Sequence, residues 1–306
     1  MNELGVSVVI AAFRAEHTLD AAIRSVLGQS SPVEEIVVVD DGSDDATAAV
    51  AHRFGHPVSV LRLPTNQGVA AALNHGLAVA GMPVLTFLDA DDLWPPDRIA
   101  RQRAALADPM VDLADGWSQQ FRDPSLSVST ASEVVPFGPP QPGPGKATMA
   151  IRRTALDRVG PFDAAFRRGD VLEWLSRPAV RTLCRVTLPD VLHFRRLHGS
   201  NLGVRERDQQ RAEYAAVMRS ISRRRRGSRR DGAAHGRRHR ARVQCAPLHR
   251  GHDAVDPEAA PRPRRGHPGR RRWHRRKHRH PPRSVPSGGG AAHHWARRPG
   301  GRPQSR

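Results

Sequence analysis

The chain has 306 residues and a formal net charge of +19, but the charge is confined to one end. Residues 1–222 carry 23 basic and 26 acidic side chains, net −3, whereas residues 223–306 carry 26 basic and 4 acidic ones. Those 84 tail residues hold only four from Leu, Ile, Val and Phe, too few to offset the entropy of ordering a chain, so the tail is expected to be disordered. The other 222 residues suffice for one α/β domain with a sizeable core. Cys184 and Cys245 are too few for a disulfide framework or a four-cysteine metal knot. No apolar run reaches membrane-spanning length and the N-terminus lacks a signal pattern, so the expected compartment is the cytoplasm.

Over the first 110 residues apolar runs alternate with helical patterns, which predicts a mostly parallel central sheet with helices on both faces. Val6 to Ala12 reads as a strand buried on both sides, and Leu19, Ala22, Ile23, Val26 and Leu27 form one helical stripe. Ile36 to Val39 is a second strand, followed by a helix capped by Ser43 with Asp44 and Asp45 in its first turn. Val58 to Leu63, a helix from about Gln67 to Val79, and the strand Val84 to Leu88 come next. Pro95 and Pro96 open a helix through Leu106, and residues 136–145, with five Pro and three Gly, read as a loop between two lobes. Further on, the pattern predicts a strand at Lys146–Ile151 and helices at Arg153–Val159 and Asp170–Arg177. Short strands follow at Val186–Leu188 and Val191–Arg195, then a last helix near Arg207–Ile221.

Two acidic clusters, Asp40–Asp41 and Asp89–Asp92, fall at carboxyl ends of predicted strands, where open α/β sheets bind ligands. Carboxylates so concentrated call for neutralisation, and a hard divalent cation does this best. For Asp40–Gly42 a plain solvated turn is an equal reading.

Four stretches occur in register: Val6–Ala12, Val38–Ser43, Asn66–Gly68 with Ala72–Gly76, and Leu88–Trp94. Together they resemble the family 2 glycosyltransferases. The resemblance implies a GT-A fold, whose nucleotide-binding half (1–110 here) and acceptor half (111–222) share one sheet. It also implies an inverting enzyme using a nucleotide sugar, above all a UDP-sugar, and Mn2+ or Mg2+. Its acceptor would be a glycan, a lipid-linked sugar or another hydroxyl compound. By the same resemblance Asp40 and Asp41 hold the base and ribose, with Ala12 and Phe13 beside the nucleobase. Arg14 stands where relatives carry Asn. Asn66, Gly68 and Asn74 border the nucleotide site, Gly68 being readable equally as a turn glycine. Asp89 lies near ribose or metal, and Asp91 is the direct metal ligand.

The resemblance further implies a general base from an acidic pair ahead of a Trp. The matching stretch, Gly169 to Arg177, places Val171 on the expected base, which leaves Asp170 or Glu173 for that role. Asp170 is favoured because it opens the helix; the competing reading makes it a cap and Glu173 a surface residue. Arg195 and His198 resemble a closing segment that reaches a diphosphate or the metal.

Twenty-five of the 26 tail cations are Arg, an odd choice for a nucleic-acid arm, so no specific nucleic acid is expected. The GC-rich codons of Arg, Pro, Gly and Ala suggest out-of-frame translation, and a polybasic contact with acidic membrane is the functional alternative. Two further functions stay open: a nucleotide-sugar-binding protein with impaired catalysis, and a polyanion binder acting through the tail.

Overall fold

The computed structural model describes residues 4–143, 145–166 and 170–199, together with positions 215, 217–219 and 222. The tail at 223–306, the segment after Gly199 and nearly all of the helix expected near Arg207–Ile221 lie outside the described residues.

The first half runs β1 (Val6–Ala12), α1 (Leu19–Leu27), β2 (Glu35–Asp40), α2 (Thr47–His52), β3 (Val58–Arg62), α3 (Val69–Val79), β4 (Val84–Asp89) and α4 (Arg98–Leu106). The second adds β5 (Leu113–Arg122), β6 (Gln141–Pro142), β7 (Ala150–Arg152), α5 (Arg153–Val159), α6 (Asp170–Leu175) and β8 (Arg185–Leu197). All eight strands form one sheet of order β3-β2-β1-β4-β7-β5-β6, with β8 on the other edge of β5. The expected parallel arrangement holds for β3-β2-β1-β4. Beyond β4 the sheet is mixed: β7 runs antiparallel to both β4 and β5, and β8 runs parallel to β5.

Successive strand side chains point to opposite faces, and β1 divides its apolar residues accordingly. Val6, Val8, Ile10 and Ala12 pack with α1, α2 and α4, whereas Val9 packs with Val37, Val39, α3, α5 and Trp174. The sheet is therefore covered on both faces. Gly76 of α3 lies directly over β1; a Cβ there would sit 2.4 Å from a Val9 methyl, so the missing side chain sets how closely helix and sheet approach.

Several expectations need correction. The second helix starts at Thr47, not behind Ser43, and its cap is Ala46. Asp44 instead pairs with Arg14, and Asp45 accepts from the Thr47 amide and hydroxyl, so side chain–backbone bonds hold this stretch out of the helix. Lys146–Ile151 divides into a short 3-10 turn, Lys146–Thr148, and β7, because Thr148 Oγ1 donates back to Gly143 O at 2.6 Å and curls the chain. The Pro/Gly-rich stretch carries β6 and packs on β5, with the Phe137 amide donating to Gln120 O. The two short strands expected after residue 185 are one thirteen-residue strand, whose Pro189–Asp190 interruption is absorbed as a bulge between the Asp115–Thr187 and Trp117–Val191 pairs. β5 was not anticipated: its sequence, LADGWSQQFR, has no clean apolar alternation.

Candidate active site

The chain passes from β1 to β2 to β3 on one side, then returns to place β4 on the other side of β1. The crevice where the direction switches opens at the carboxyl ends of β1 and β4, the position where open α/β sheets bind ligands. Pairing of Ala12 with Asp40, and of Ala11 with Asp89, lines up the ends of β2, β1 and β4 on one edge. Neighbouring strands lie about 4.8 Å apart, so both acidic clusters and Phe13 border one crevice roughly 10 Å across.

On the β1–β2 side, Asp40 is fully buried. Its Oδ1 accepts from the Ser43 amide at 3.1 Å, and its Oδ2 lies 3.3 Å from Arg62 Nε in an ion pair without an aligned hydrogen bond. Asp41 accepts from the amides of Gln67 and Gly68, both at 2.8 Å, and so fixes the entry to α3. Between them Gly42, at φ +70°, crosses so near Thr65 that a Cβ would come within 2.6 Å of its carbonyl carbon. Ala12 is buried and accepts the Asp41 amide, while Phe13 presents its ring to solvent. Arg14 adopts φ 49°, a left-handed conformation that Asn tolerates better than Arg. Ser43 Oγ accepts the Arg14 amide and Asp44 holds its guanidinium, which secures that backbone. Asn66 is exposed on the loop before α3, and Gly68 is the N-cap residue. Asn74 belongs to the framework rather than to the crevice: its amide donates to Phe162 O at 2.7 Å and accepts from Phe162 N at 3.0 Å.

The β4 end carries the denser constellation. Asp91 Oδ2 lies 3.1 Å from His198 Nε2, which brings together two residues 107 positions apart in sequence. Asp92 is buried; its Oδ2 lies 2.9 Å from His193 Nε2, and its Oδ1 accepts the Arg196 amide at 2.7 Å. Burial, with repulsion from Asp91, pushes the Asp92 carboxyl up to about 6 despite the pull of His193. Ser118 Oγ is 2.9 Å from His193 Nδ1, completing a Ser118–His193–Asp92 chain. Arg196, buried below, pairs with Asp123 and donates to Asp91 O, binding β8 to the acidic turn. Asp89 Oδ1 lies 3.4 Å from Lys146 Nζ. Burial would raise the Asp89 carboxyl, but the Lys146, His193 and Arg195 charges outweigh it and hold it below the usual carboxylate range.

A cavity of about 370 Å³ opens beside this cluster, lined among others by Asp89, Asp92, Ser118, Lys146, His193 and Arg195. Val171, at the start of α6, also lines it. Asp170 is buried, with an Oδ2 that has no hydrogen-bond partner. Burial raises its carboxyl above the usual range, opposed by Lys146 and reinforced by Asp89. Glu173 is not a surface residue and not on the cavity wall: it is fully buried and bonded to Arg177 Nη2 at 2.7 Å, and Arg177 also binds the Val159 and Pro161 carbonyls. Helical spacing placed Asp170 and Glu173 on one face; Glu173 goes to a framework ion pair, whereas Asp170 keeps a buried oxygen without a hydrogen-bond partner one residue before Val171, which lines the cavity.

Three of the most engaged residues carried no signal in the sequence. Lys146 follows a Pro/Gly stretch, Ser118 lies in the unanticipated β5, and His193 stands in a strand without a motif. Among the described residues no three His, Cys, Asp or Glu side chains converge as a self-sufficient metal site. Asp91 and His198 offer one oxygen and one nitrogen donor, which suits a divalent cation whose remaining positions are filled by substrate phosphates and water.

The family model for "Glycosyl transferase family 2" matches residues 7–173. An uncharacterized glycosyltransferase of Nostoc sp. is 31% identical over 215 residues, covering 64% of this chain and 66% of that one. A UDP-Glc:α-D-GlcNAc-diphosphoundecaprenol β-1,3-glucosyltransferase of Escherichia coli is 30% identical over 183 residues, covering 58% and 70%. The chain thus spans about two thirds of the length of these relatives. Among solved structures, Staphylococcus aureus TarS 1–349 superimposes with a TM-score of 0.56 at 19% identity, covering 71% of this chain and 64% of that one. The same protein is similar in its complex with UDP-GlcNAc, at a TM-score of 0.54 over 65% of this chain and 60% of that one. The shared architecture is the GT-A fold, and with more than half of its length matched, the chain belongs to glycosyl transferase family 2.

Proposed function

We propose that this protein transfers a sugar, with inversion, from a nucleoside-diphosphate sugar to an acceptor hydroxyl, with Asp170 as general base. The observation that carries the reading is the Asp170 carboxyl: buried, with one oxygen unpartnered, at the head of a helix whose next residue lines the cavity beside Asp89. Burying an unsatisfied carboxyl is costly, and a general base explains why a protein keeps one. In the step proposed, the acceptor oxygen attacks the anomeric carbon, its proton passes to Asp170, and the bond to the diphosphate oxygen breaks. Asp40 and Asp41 edge the nucleoside side of the crevice, with Phe13 offering a ring to the base. Asp91 and His198 would hold Mn2+ or Mg2+, which supplies charge stabilisation for the leaving diphosphate. Arg195, on the cavity wall, supplies a cation for an anionic group of either substrate.

A UDP-sugar donor is supported by the S. aureus structural relative, solved with UDP and with UDP-GlcNAc. The acceptor reading draws on the E. coli relative, whose acceptor is a sugar on a lipid diphosphate. Beyond the cavity, Arg122 stacks 3.9 Å over the Phe137 ring, beside exposed Val135, a cationic and apolar rim suited to such a molecule. Among the described residues no helix is long and apolar enough to cross a membrane; a cytoplasmic enzyme working at a membrane surface is part of this proposal.

Val171, lining the cavity where the resemblance puts a base, favours a second reading, a donor-binding protein without turnover. One experiment separates the two. Calorimetry with UDP-sugars and Mn2+ is followed by assay of nucleoside diphosphate release with and without acceptor. Binding with release supports transfer, binding without release supports the second reading, and absence of binding overturns both. Asp91→Asn is expected to abolish the metal dependence of binding and leave the melting temperature unchanged, since Asp91 lies at a strand end outside the core; unaltered Mn2+ dependence in this variant would remove Asp91 from the metal site.

A further inference from the structure

His193 of β8 is 3% exposed, and the chain on either side of it is tied down. Leu192 O accepts from the buried Arg98 guanidinium at 3.1 Å, and Phe194 exchanges two backbone hydrogen bonds with Leu93, at 2.8 and 3.0 Å. The imidazole is therefore fixed between two groups: Asp92 Oδ2 lies 2.9 Å from Nε2, and Ser118 Oγ lies 2.9 Å from Nδ1. Asp92 Oδ1 is engaged as well, by the Arg196 amide at 2.7 Å. An ionised carboxylate only accepts, so the imidazole proton sits on Nε2 and Nδ1 keeps its lone pair. Ser118 then donates its single hydroxyl proton to Nδ1. What Ser118 Oγ has left is acceptor capacity, and Ser118 lines the cavity.

A serine hydroxyl ordinarily rotates to suit whatever lies beside it; here a buried imidazole and a buried carboxylate remove that freedom. The wall around Ser118 is neutral. In the sheet register Ser118 stands between Gln141 of β6 and His193 of β8, and Gln120 follows two residues along β5. Both glutamines line the cavity, and their side-chain amides engage no other described residue. Two amides beside one oriented oxygen match the hydroxyls of a sugar ring rather than an anion. Position selects the sugar of the donor: Asp92 directly follows Asp91, the proposed hold on the metal and diphosphate, and the donor sugar is bonded to that diphosphate.

We propose that Ser118 reads the donor sugar, its Oγ accepting a hydrogen bond from one ring hydroxyl, with His193 and Asp92 as the positioning residues that keep it an acceptor. The inference rests on the proposed transfer from a nucleoside-diphosphate sugar and adds which residues select that sugar. A sugar lacking the hydroxyl forfeits the bond, and Ser118 cannot turn its own proton toward a replacement group.

The test is calorimetry on the full chain at pH 8 with Mn2+. The probes are UDP, UDP-glucose, UDP-galactose and UDP-N-acetylglucosamine, followed by the deoxy analogues of whichever UDP-sugar binds most tightly. One neutral hydrogen bond corresponds to about 3–10-fold in affinity. Ser118→Ala is expected to weaken that UDP-sugar by this factor and to leave UDP unchanged. One deoxy analogue is expected to bind the parent more weakly by the same factor and to bind Ser118→Ala as it binds the parent, a non-additivity that a merely structural serine would not show. His193→Phe is expected to abolish the preference for the sugar over that deoxy analogue, with His193→Leu in its place should it fail to fold. Unchanged UDP-sugar affinity in folded Ser118→Ala overturns the proposal, including the case in which only the acceptor KM moves, and so does an equal loss for UDP. A preference kept in full by the folded His193 variant overturns the positioning roles. A parent protein that binds none of the UDP-sugars is a different failure: it removes the proposed transfer itself.

Discussion

At the scale of single residues, the two acids of α6 illustrate how burial separates roles that helical spacing leaves together. Glu173 and Arg177 form a buried ion pair, and removing one partner of such a pair leaves the other charge uncompensated at a cost of about 3–5 kcal/mol. Glu173→Gln is therefore expected to lower the melting temperature sharply in thermal denaturation. Asp170→Asn is expected to do the reverse. The Asp170 carboxyl is raised in the folded protein, so the folded state binds its proton more tightly than the unfolded chain does. Stability is then lost as pH rises from the ordinary carboxylate range through the raised value, and the amide, which carries no charge, escapes that loss. Asp170→Asn should thus melt above the parent at pH 8, with the gap closing toward pH 4. Equal melting at both pH values would show that Asp170 carries no buried charge. From the sequence Asp170 is favoured only because it opens the helix, and Glu173 reads equally as a surface residue; its burial depends on Arg177 and on the Val159 and Pro161 carbonyls that Arg177 binds, which only the tertiary fold assembles.

At the scale of elements, the β3-β2-β1-β4 half was legible because its strands are β-branched runs buried on both faces and its helices carry apolar stripes. The second half was less so. β5 breaks its apolar alternation because Ser118 and Gln120 line the polar cavity on one face while Gln119 on the other donates to the Phe137 and Gly138 carbonyls, so its pattern records the site rather than the core alone. β8 hides a bulge behind Pro189 for the same kind of reason: the offset brings His193 and Arg195 onto the cavity wall. The close approach of α3 to β1 offers a check on the framework. Gly76→Val inserts bulk against Val9 and Val39 and is expected to cost about 1–3 kcal/mol in a denaturant titration, with donor affinity falling because the helix start at Gly68 is tied to Asp41. A neutral Gly76→Val would mean that the helix shifts freely and does not position the nucleotide edge.

For the whole molecule, the charge division sets the expectation. Residues 1–222 carry net −3 and the motifs of the family, while residues 223–306 carry the excess of cations and four aliphatic or Phe side chains. Truncation after Ser222 is expected to leave the melting temperature and donor constant unchanged and to abolish salt-sensitive binding to heparin or anionic vesicles, since the shortened chain lacks the cations that release counterions. Loss of folding or transfer on truncation would instead make the tail part of the enzyme.

The central claim is that the cavity at the ends of β4, β5 and β8 performs glycosyl transfer with Asp170 as its base. The most direct measurement compares kcat with the donor dissociation constant in the parent protein and in Asp170→Asn, using the UDP-sugar that the screen identifies. A base acts in the transition state and not on the bound donor, so kcat is expected to fall by about 10²–10⁴-fold while the donor constant is unchanged. Unchanged kcat, or a loss confined to donor affinity, would contradict the account.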